Sequence, residues 1–314
     1  MEPTDAEPLY KDGETRAGYV TLVGRPNAGK STLMNALIGE NLSIVTPKAQ
    51  TTWQRVTGIL TTERAQMIFL DTPGLLEPRD LLQRSMLSAA TEALEESDVI
   101  LLVLDGSAPW NTREMEWLAT ALADRPAVPL LAAVNKSDLT DGRRGEEISA
   151  WVSQTLGAEP FSICALEGKG TDTIRDRLEE LLPLGPFLYP PDEIARDPVR
   201  FFAAEMIRET VFQEFHQEIP YSVFCQIEEF RESEDPVYIG AHLFVERKSQ
   251  KGILVGKGGS SIRTIGSRSR KKIEEFLGRR VYLDLWVKVL PDWRRKRAHL
   301  RRLGFPVPEE GPST

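Results

Sequence analysis

The stretch Gly24-Arg25-Pro26-Asn27-Ala28-Gly29-Lys30-Ser31 fits G-x-x-x-x-G-K-[ST], the pattern of a phosphate-binding loop. Glycines in such a loop allow backbone N–H groups to turn inward towards an anion. The pattern predicts that Lys30 contacts the β- and γ-phosphates and that the Ser31 hydroxyl is one ligand of Mg²⁺. We expect the whole stretch, together with Thr32, to bind nucleotide phosphates.

The flanking sequence supports this interpretation. Residues 19–23 are apolar and predict a buried strand, while residues 31–38 predict a helix that Gly39 ends. The loop would therefore join a strand to a helix N-terminus, where the helix dipole favours phosphate.

Further apolar runs alternate with helical patterns as far as residue 182. They predict strands buried on both faces at residues 66–70, 99–104, 130–134 and 161–164. Strand–helix alternation of this kind predicts an α/β fold with a doubly wound, mostly parallel sheet. Ligands of such a sheet bind at the carboxyl ends of the strands.

Two further motifs come directly after predicted strands. Asp71-Thr72-Pro73-Gly74 predicts an Asp71 that holds Mg²⁺ through water and a Gly74 N–H that senses the γ-phosphate. Asn135-Lys136-Ser137-Asp138 predicts guanine recognition, because the Asp138 carboxylate can accept from the N1–H and the 2-amino group together, a pair that adenine lacks. Asn135 would brace the neighbouring loop and Lys136 would lie along the base.

Two weaker segments fit the same scheme. Gln50-Thr51-Thr52 would supply a threonine that completes Mg²⁺ coordination; we favour Thr52, and Thr51 stays open, as does an ordinary polar loop. Cys164-Ala165-Leu166 would offer a backbone N–H to the guanine oxygen, although this pattern usually begins with serine. The predicted catalytic residues are Lys30, Thr52, Gly74 and Asn27.

Composition limits the class of protein. A chain of 314 residues predicts about two domains. Its two cysteines are far apart, which favours a reducing compartment over a disulfide or zinc site. No apolar run approaches the roughly 20 residues of a membrane span and no signal peptide opens the chain, so a cytoplasmic location is expected.

Charge is concentrated in one segment. Residues 241–304 carry 18 Lys and Arg against 5 Asp and Glu, a net of +13, so the remainder carries −21 to reach the chain's −8. Such a segment suggests an anionic partner, with nucleic acid first; a solvated charged face is the alternative.

The basic segment belongs to a predicted α+β domain in the order α-β-β-α-α-β. Its Gly256-Lys257-Gly258-Gly259 loop satisfies G-x-x-G, with which KH domains clamp the backbone of single-stranded nucleic acid. Lys251 and Arg263 flank this loop and would add phosphate contacts. Ile253, Ile262, Ile273 and Phe276 are expected to be core, although an apolar groove beside the loop is where bases would rest.

The order of these motifs resembles a translation-factor-class GTPase, and Lys48-Ala49-Gln50-Thr51-Thr52 resembles the Era family in particular. Residues 252–259 and 285–289 resemble the Era carboxyl domain, a type II KH-like domain. Composition and the resemblance together predict the following division of the chain: a flexible acidic tail at 1–16, a GTPase domain at 17–183, a proline-rich linker at 184–199, a KH-like RNA-binding domain at 200–293 and a basic C-terminal tail at 294–314.

The resemblance also implies a function: binding of GTP, GDP and Mg²⁺, and of 16S ribosomal RNA near its 3′ end during assembly of the small ribosomal subunit. Leu75 stands where many relatives carry a water-orienting glutamine, so it implies slow intrinsic hydrolysis. Asn27 matches an asparagine that helps to hold a monovalent cation in related GTPases; K⁺ binding and simple bracing of the loop are both open. We expect a monomer.

Two questions stay open from the sequence: what the basic C-terminal run contacts, and which class of function the whole protein has. The basic run at residues 294–302 would contact RNA phosphates, anionic lipid at the inner face of the cell membrane, or only solvent. The protein as a whole would be a GTP-driven switch or a constitutive RNA-binding assembly factor with a mainly structural GTP site. A tRNA-modifying GTPase is disfavoured, because no second catalytic domain or cofactor motif is present.

Overall fold

The computed structural model describes residues 15–46, 48 and 50–308. Residues 1–14 of the predicted acidic tail, residues 309–314 of the predicted basic tail, and Ala49 of the Era-like motif lie outside the described residues. The described chain forms two compact units. The first comprises residues 15–42, 55–76 and 90–196, and the second comprises the described residues of 43–54 with 77–89 and 197–308.

The first unit contains a six-stranded sheet in the order β2-β3-β1-β4-β5-β6. Its strands are β1 (Arg16–Val23), β2 (Val56–Thr61), β3 (Ala65–Asp71), β4 (Val99–Asp105), β5 (Leu130–Asn135) and β6 (Glu159–Ser162). All neighbouring pairs are parallel except β2 with β3. The predicted doubly wound, mostly parallel sheet is therefore confirmed, with the carboxyl ends of β1, β3, β4 and β5 at one edge.

Four helices connect these strands, namely α1 (Lys30–Ile38), α2 (Leu81–Glu95, whose first part belongs to the second unit), α3 (Thr112–Ala121) and α4 (Gly142–Trp151), and α5 (Thr171–Leu181) follows β6. A π-helical turn at Val152–Leu156 continues α4. Gly39 ends α1 in the left-handed conformation with φ of +85°, as its position predicted.

The interior strands β1, β3, β4 and β5 are mostly buried, but β6 is not. Residues 161–164 were predicted as a strand buried on both faces, and this is wrong: β6 covers Glu159–Ser162 and all four residues are exposed or half-buried. The reason is its place at the edge of the sheet, where it pairs only with β5. Cys164 lies beyond the strand, in a turn.

The second unit contains the predicted α-β-β-α-α-β domain. Its elements in that order are α6 (Val199–Glu214), β7 (Phe224–Arg231), β8 (Val237–Val245), α7 (Lys248–Val255), α8 (Ser260–Leu277) and β9 (Val281–Val289). β8 is the central strand, antiparallel to β7 and parallel to β9. The helices pack on the sheet face that carries Ile239, Ala241 and Leu243, all fully buried.

A second core of this unit joins segments that are distant in sequence. Trp53, Leu82 and Met86 pack there with Phe244 of β8 and with Trp293. Leu300 and Leu303 of the basic C-terminal region, the first within α9 (Arg297–Arg302) and the second just after it, are buried in the same cluster. The segments around residues 53 and 82, which flank β2 and β3 in sequence, are therefore structural parts of the second unit.

Within the first unit, the proline-rich region beyond α5 lies against the sheet. Gln66 donates through its amide to the Tyr189 carbonyl at 2.8 Å and accepts from the Tyr189 N–H at 2.9 Å. The Ile59 N–H donates to the Ile194 carbonyl at 2.8 Å. Across residues 15–308, without 47 and 49, no helix combines the length and the apolarity needed to cross a bilayer.

Candidate guanine-nucleotide site and nucleic-acid interface

Glycines give the phosphate loop of the first unit its close packing. A Cβ atom on Gly24 would lie 2.1 Å from the carbonyl oxygen of Val103, so only glycine fits beside β4. Gly29 has φ of +97° and a Cβ atom there would lie 2.2 Å from the side-chain nitrogen of Asn135. The loop is thus packed closely against β4 and β5.

Lys30 is the first residue of α1 and is 6% exposed. Its ammonium donates to the carbonyls of Gly24 and Arg25 at 3.3 and 3.2 Å. Burial lowers the pKa of Lys30 to about 8, and the Asp71 carboxylate opposes part of this effect. A phosphate bound at this loop would therefore favour the protonated form of Lys30.

We expect nucleotide binding to take up protons at this lysine. With a pKa of about 8, Lys30 is about half protonated at pH 8 in the free protein, and a phosphate anion beside it raises the pKa. Calorimetry of GDP binding in buffers of different ionisation enthalpy should show net proton uptake at pH 8. At pH 6.5 Lys30 is already protonated, and the terminal phosphate of GDP, whose second pKa is about 6, should give net proton release instead. Equal uptake at the two pH values would contradict this assignment.

Ser31 and Asp71, the predicted Mg²⁺ ligands, lie side by side. The Ser31 hydroxyl donates to an Asp71 carboxylate oxygen at 2.6 Å, and Asp71, the last residue of β3, is fully buried. Oxygen ligands suit Mg²⁺, which is usually held by one or two protein groups together with substrate phosphates. Within the described residues, no cluster of three or more His, Cys, Asp or Glu side chains could hold a metal.

The Asp71–Gly74 motif lies directly on the phosphate loop. A Cβ atom on Gly74 would lie 2.5 Å from the Pro26 nitrogen, and the Leu75 N–H donates to the Gly24 carbonyl at 2.9 Å. The Leu75 side chain is 2% exposed. It is therefore a packing residue, and its side chain carries no group that could orient water.

Asn27 lies at the exposed tip of the phosphate loop. It has a left-handed backbone with φ of +65°, a conformation that asparagine tolerates better than most residues. Its neighbour Arg25 forms an ion pair with Glu114 of α3 at 2.5 Å. The exposed amide of Asn27 can therefore reach a ligand outside the loop.

Asn135 connects three segments of the site. Its side-chain nitrogen donates to the Ala28 carbonyl, and its side-chain oxygen accepts from the Ala165 N–H, both at 2.9 Å. Asn135 is 3% exposed, so both contacts are shielded from water. The phosphate loop and the 164–166 loop are consequently fixed relative to each other by one amide.

Asp105 is a supporting residue that the sequence analysis missed. Its carboxylate accepts from Lys136 at 2.6 Å and from the Ser107 hydroxyl at 2.6 Å. Burial alone would raise the pKa of Asp105, but the hydrogen bonds from Lys136 and Ser107 outweigh it and lower the pKa. An acidic residue at the end of the strand next to β5 was the available signal, because neighbouring parallel strands end side by side.

Asp138 presents an exposed carboxylate beside Cys164. The buried Cys164 thiol donates a hydrogen bond to this carboxylate. Burial is the larger cause of the raised pKa of the thiol, and this hydrogen bond is the second. The cysteine thus offers Asp138 the kind of donor that a serine would.

We expect Cys164→Ala to weaken GDP binding by about fivefold, because Asp138 loses a hydrogen bond worth about 1 kcal/mol. Cys164→Ser should bind GDP at least as tightly as the unsubstituted protein, since a hydroxyl is a stronger donor. Fluorescence titration with a labelled GDP measures both variants. Equal affinity in Cys164→Ala would show that the thiol does not orient Asp138.

The nucleic-acid candidate is the G-x-x-G loop of the second unit. Gly256, Gly258 and Gly259 all have positive φ, at +75°, +59° and +79°, and a Cβ atom on Gly258 would meet nothing within 4 Å. Lys257 at the tip is exposed, and Arg263 donates to the Gly258 carbonyl at 2.8 Å. The loop therefore offers open backbone between basic side chains, as a phosphate clamp requires.

Apolar residues beside this loop divide into two groups. Ile273 is fully buried, as expected for core. The expectation of core is wrong for Ile253 and Phe276, which are 48% and 38% exposed. Ile253 lies on the helix before the loop, near the exposed Lys251, so it is available as an apolar surface for bases. Phe276 lies near the far end of α8, and its ring packs on that of Phe202 with 5.5 Å between ring centroids.

Comparison with known proteins matches both units. Residues 19–136 match the family model described as 50S ribosome-binding GTPase, and residues 218–294 match the KH domain model. The chain is 41% identical to GTPase Era of Carboxydothermus hydrogenoformans over 92% of its own length and 98% of the relative's. It is 38% identical to GTPase Era of Synechocystis, with 94% of each chain covered.

Two solved structures share the whole architecture. A single-residue variant of Aquifex aeolicus Era bound to GDP and AlF4⁻ has a TM-score of 0.86 at 38% identity, covering 92% of this chain and 99% of the other. Era in complex with MgGDPNP and nucleotides 1506–1542 of 16S ribosomal RNA has a TM-score of 0.87 at the same identity and coverage.

Proposed function

Because this chain belongs to the Era family of GTPases, we propose that it binds small-subunit ribosomal RNA near the 3′ end and acts, under control of GTP, in assembly of that subunit. The proposal rests on one observation: the same chain contains a candidate guanine-nucleotide site and an open, basic G-x-x-G loop. The Era structure that contains both MgGDPNP and a 16S RNA fragment supports the same pairing.

The proposed chemistry uses charges already placed at the phosphate loop. Lys30 would neutralise the β- and γ-phosphates, while Ser31 and, through water, Asp71 would hold Mg²⁺. Mg²⁺, when bound, would stabilise the charge that develops on the phosphate oxygens. Thr52 is proposed as a further Mg²⁺ ligand in the GTP-bound protein, with the Gly74 N–H at the γ-phosphate.

Hydrolysis is proposed to be slow and to depend on a monovalent cation. Leu75 supplies no side-chain group to orient water, whereas the Asn27 amide is exposed at the tip of the phosphate loop, from which it would hold a K⁺ ion beside the phosphates. We expect the GTPase rate to be at least tenfold higher in K⁺ than in Na⁺ at equal ionic strength, and Asn27→Ala to remove the difference. Equal rates in K⁺ and Na⁺ would leave Asn27 as a bracing residue only.

The basic run at the C-terminus is proposed to extend the RNA-binding surface. Arg295, Lys296, Arg301 and Arg302 are exposed, whereas Arg294 is held by Glu246 at 2.6 Å. Sedimentation with vesicles rich in anionic lipid tests the alternative of peripheral membrane contact. Size-exclusion chromatography with light scattering tests the proposed monomer.

The identity of the RNA is tested by crosslinking in cells followed by sequencing of the bound fragments. The proposal predicts fragments concentrated at the 3′ end of 16S ribosomal RNA. Enrichment of transfer RNA instead would overturn the assignment and favour the tRNA-modifying class. A constitutive assembly factor would give the same fragments, but its RNA affinity would be independent of the bound nucleotide.

A further inference from the structure

Helix α6 of the second unit holds the segment that carries the proposed switch threonines. The Lys48 ammonium donates to the carbonyls of Phe212 and Phe215, at the C-terminal end of α6. The last carbonyls of a helix have no partner within the helix and carry the negative end of its dipole. A lysine at this position is therefore held by the helix end.

Arg208, in the middle of α6, makes the second contact. It is 3% exposed, and its guanidinium donates to the Thr51 carbonyl at 2.6 Å while it pairs with Glu205 on the same helix. The guanidinium carbon also lies 4.3 Å from the centre of the Trp53 ring. One planar cation thus uses its edge for two hydrogen-bond partners and its face for an aromatic ring, a combination that lysine cannot reproduce.

Trp53 fixes the backbone of the same segment. Its indole N–H donates to the Gln50 carbonyl at 2.9 Å, and its ring packs on Trp293 with 5.6 Å between ring centroids. Gln50 has φ of +60°, which costs roughly 1–2 kcal/mol for a residue other than glycine. The contacts of Trp53 and Arg208 offset this cost and select one conformation of residues 50–53.

Helix α6 also contacts the helix that begins at the G-x-x-G loop. Lys272 of α8 donates to Glu209 of α6 at 2.5 Å, and Arg268 of α8 pairs with Glu214. α8 starts at Ser260, directly after Gly259 of the loop. Helix α6 therefore contacts both the threonine segment and the helix that follows the G-x-x-G loop.

We infer that Arg208 is a positioning residue that couples the nucleotide site to the RNA site. This inference rests on the proposed switch, in which Thr51 or Thr52 meets Mg²⁺ in the GTP-bound protein. The Thr51 carbonyl that Arg208 holds belongs to the peptide bond between these threonines, so a displacement of either threonine alters the Arg208 contact. Coupling through such a contact is reciprocal: GTP changes RNA affinity and RNA changes GTP affinity by the same factor.

The test compares RNA affinity in the presence of GDPNP and of GDP, using the RNA of nucleotides 1506–1542. Arg208→Lys keeps a cation for Glu205 but loses the planar guanidinium that donates to Thr51 and packs on the Trp53 ring. Arg200→Lys, at an exposed position of α6, is the matched control. We expect the ratio of the two affinities to fall to within about twofold of one in Arg208→Lys and to be unchanged in Arg200→Lys.

If Arg208→Lys leaves the ratio of RNA affinities with GDPNP and GDP unchanged, the coupling role of Arg208 is overturned but the proposed switch is not. A ratio of one in the unsubstituted protein would overturn the switch and the coupling role together.

Hydrogen exchange of the nucleotide-free protein tests the contact itself: Arg208→Lys should speed exchange in residues 50–54 without altering exchange in β8. If Arg208→Lys fails to fold, Lys48→Met removes the contact of Lys48 with the end of α6 without leaving a buried charge, and unchanged exchange in residues 50–54 would overturn the inference.

Discussion

Asp138→Asn is expected to lower affinity for GTP and GDP by roughly two to three orders of magnitude and to create affinity for xanthosine nucleotides. The carboxylate would lose its acceptor role towards the N1–H and the 2-amino group, and hydrogen bonds to a charged group are worth about 1.5–3 kcal/mol each. Xanthine carries an oxygen in place of the 2-amino group, and the asparagine amide can donate to it. Competition of xanthosine diphosphate against labelled GDP measures the exchange of specificity.

Asp141→Asn is the matched control for this prediction. Asp141 lies three residues further on and accepts from the Arg144 N–H at 2.8 Å as the N-cap of α4. Asparagine caps helices as well as aspartate does, so the control should keep the affinity for GDP and gain none for xanthosine diphosphate. Unchanged specificity in Asp138→Asn would mean that the base lies elsewhere.

The double change Lys257→Asp and Gly258→Asp is expected to lower RNA affinity by about a hundredfold or more. It replaces a phosphate-facing cation with two anions at the open tip of the loop, where counterion release drives binding. Affinity for GDP should be unchanged, because the nucleotide residues belong to the other unit. Gel-shift titration at two salt concentrations measures the loss.

Gly142→Asp with Arg143→Asp is the control for charge. These neighbouring residues begin α4 in the first unit, Arg143 is 90% exposed, and a Cβ atom on Gly142 would meet nothing within 4 Å. The change in net charge is the same, so a general electrostatic effect would weaken RNA binding equally in both double variants. Equal weakening, or none in the loop variant, would remove the loop from the RNA site.

Much of the nucleotide site could be predicted because each motif follows a strand of its own. The carboxyl ends of parallel strands meet at one edge, so spacing along the chain was enough to bring Ser31, Asp71 and Asn135 into one site. The π-helical turn after α4 and the antiparallel strand β2 were not predicted. The polar residues Thr57 and Thr61 interrupt β2, so the sequence has no continuous apolar run there that would predict a strand.

Contacts between distant segments were beyond reach of a single sequence. Arg208 looks like a surface residue of an amphipathic helix, yet it is buried because Trp53, 155 residues earlier in the chain, covers it. The pairing of Cys164 with Asp138 likewise depends on how two turns meet in space. Local patterns specify elements and motifs, whereas such pairs follow from the packing of the whole unit.

The central claim is that GTP controls the encounter with ribosomal RNA. The most direct test is the dissociation constant for RNA of nucleotides 1506–1542, measured with GDPNP and Mg²⁺, with GDP and Mg²⁺, and without nucleotide. The account predicts that affinity with GDPNP differs from affinity with GDP by at least about fivefold, the lower range of typical coupling. Equal affinities in all three states would contradict the switch and leave a constitutive RNA-binding protein.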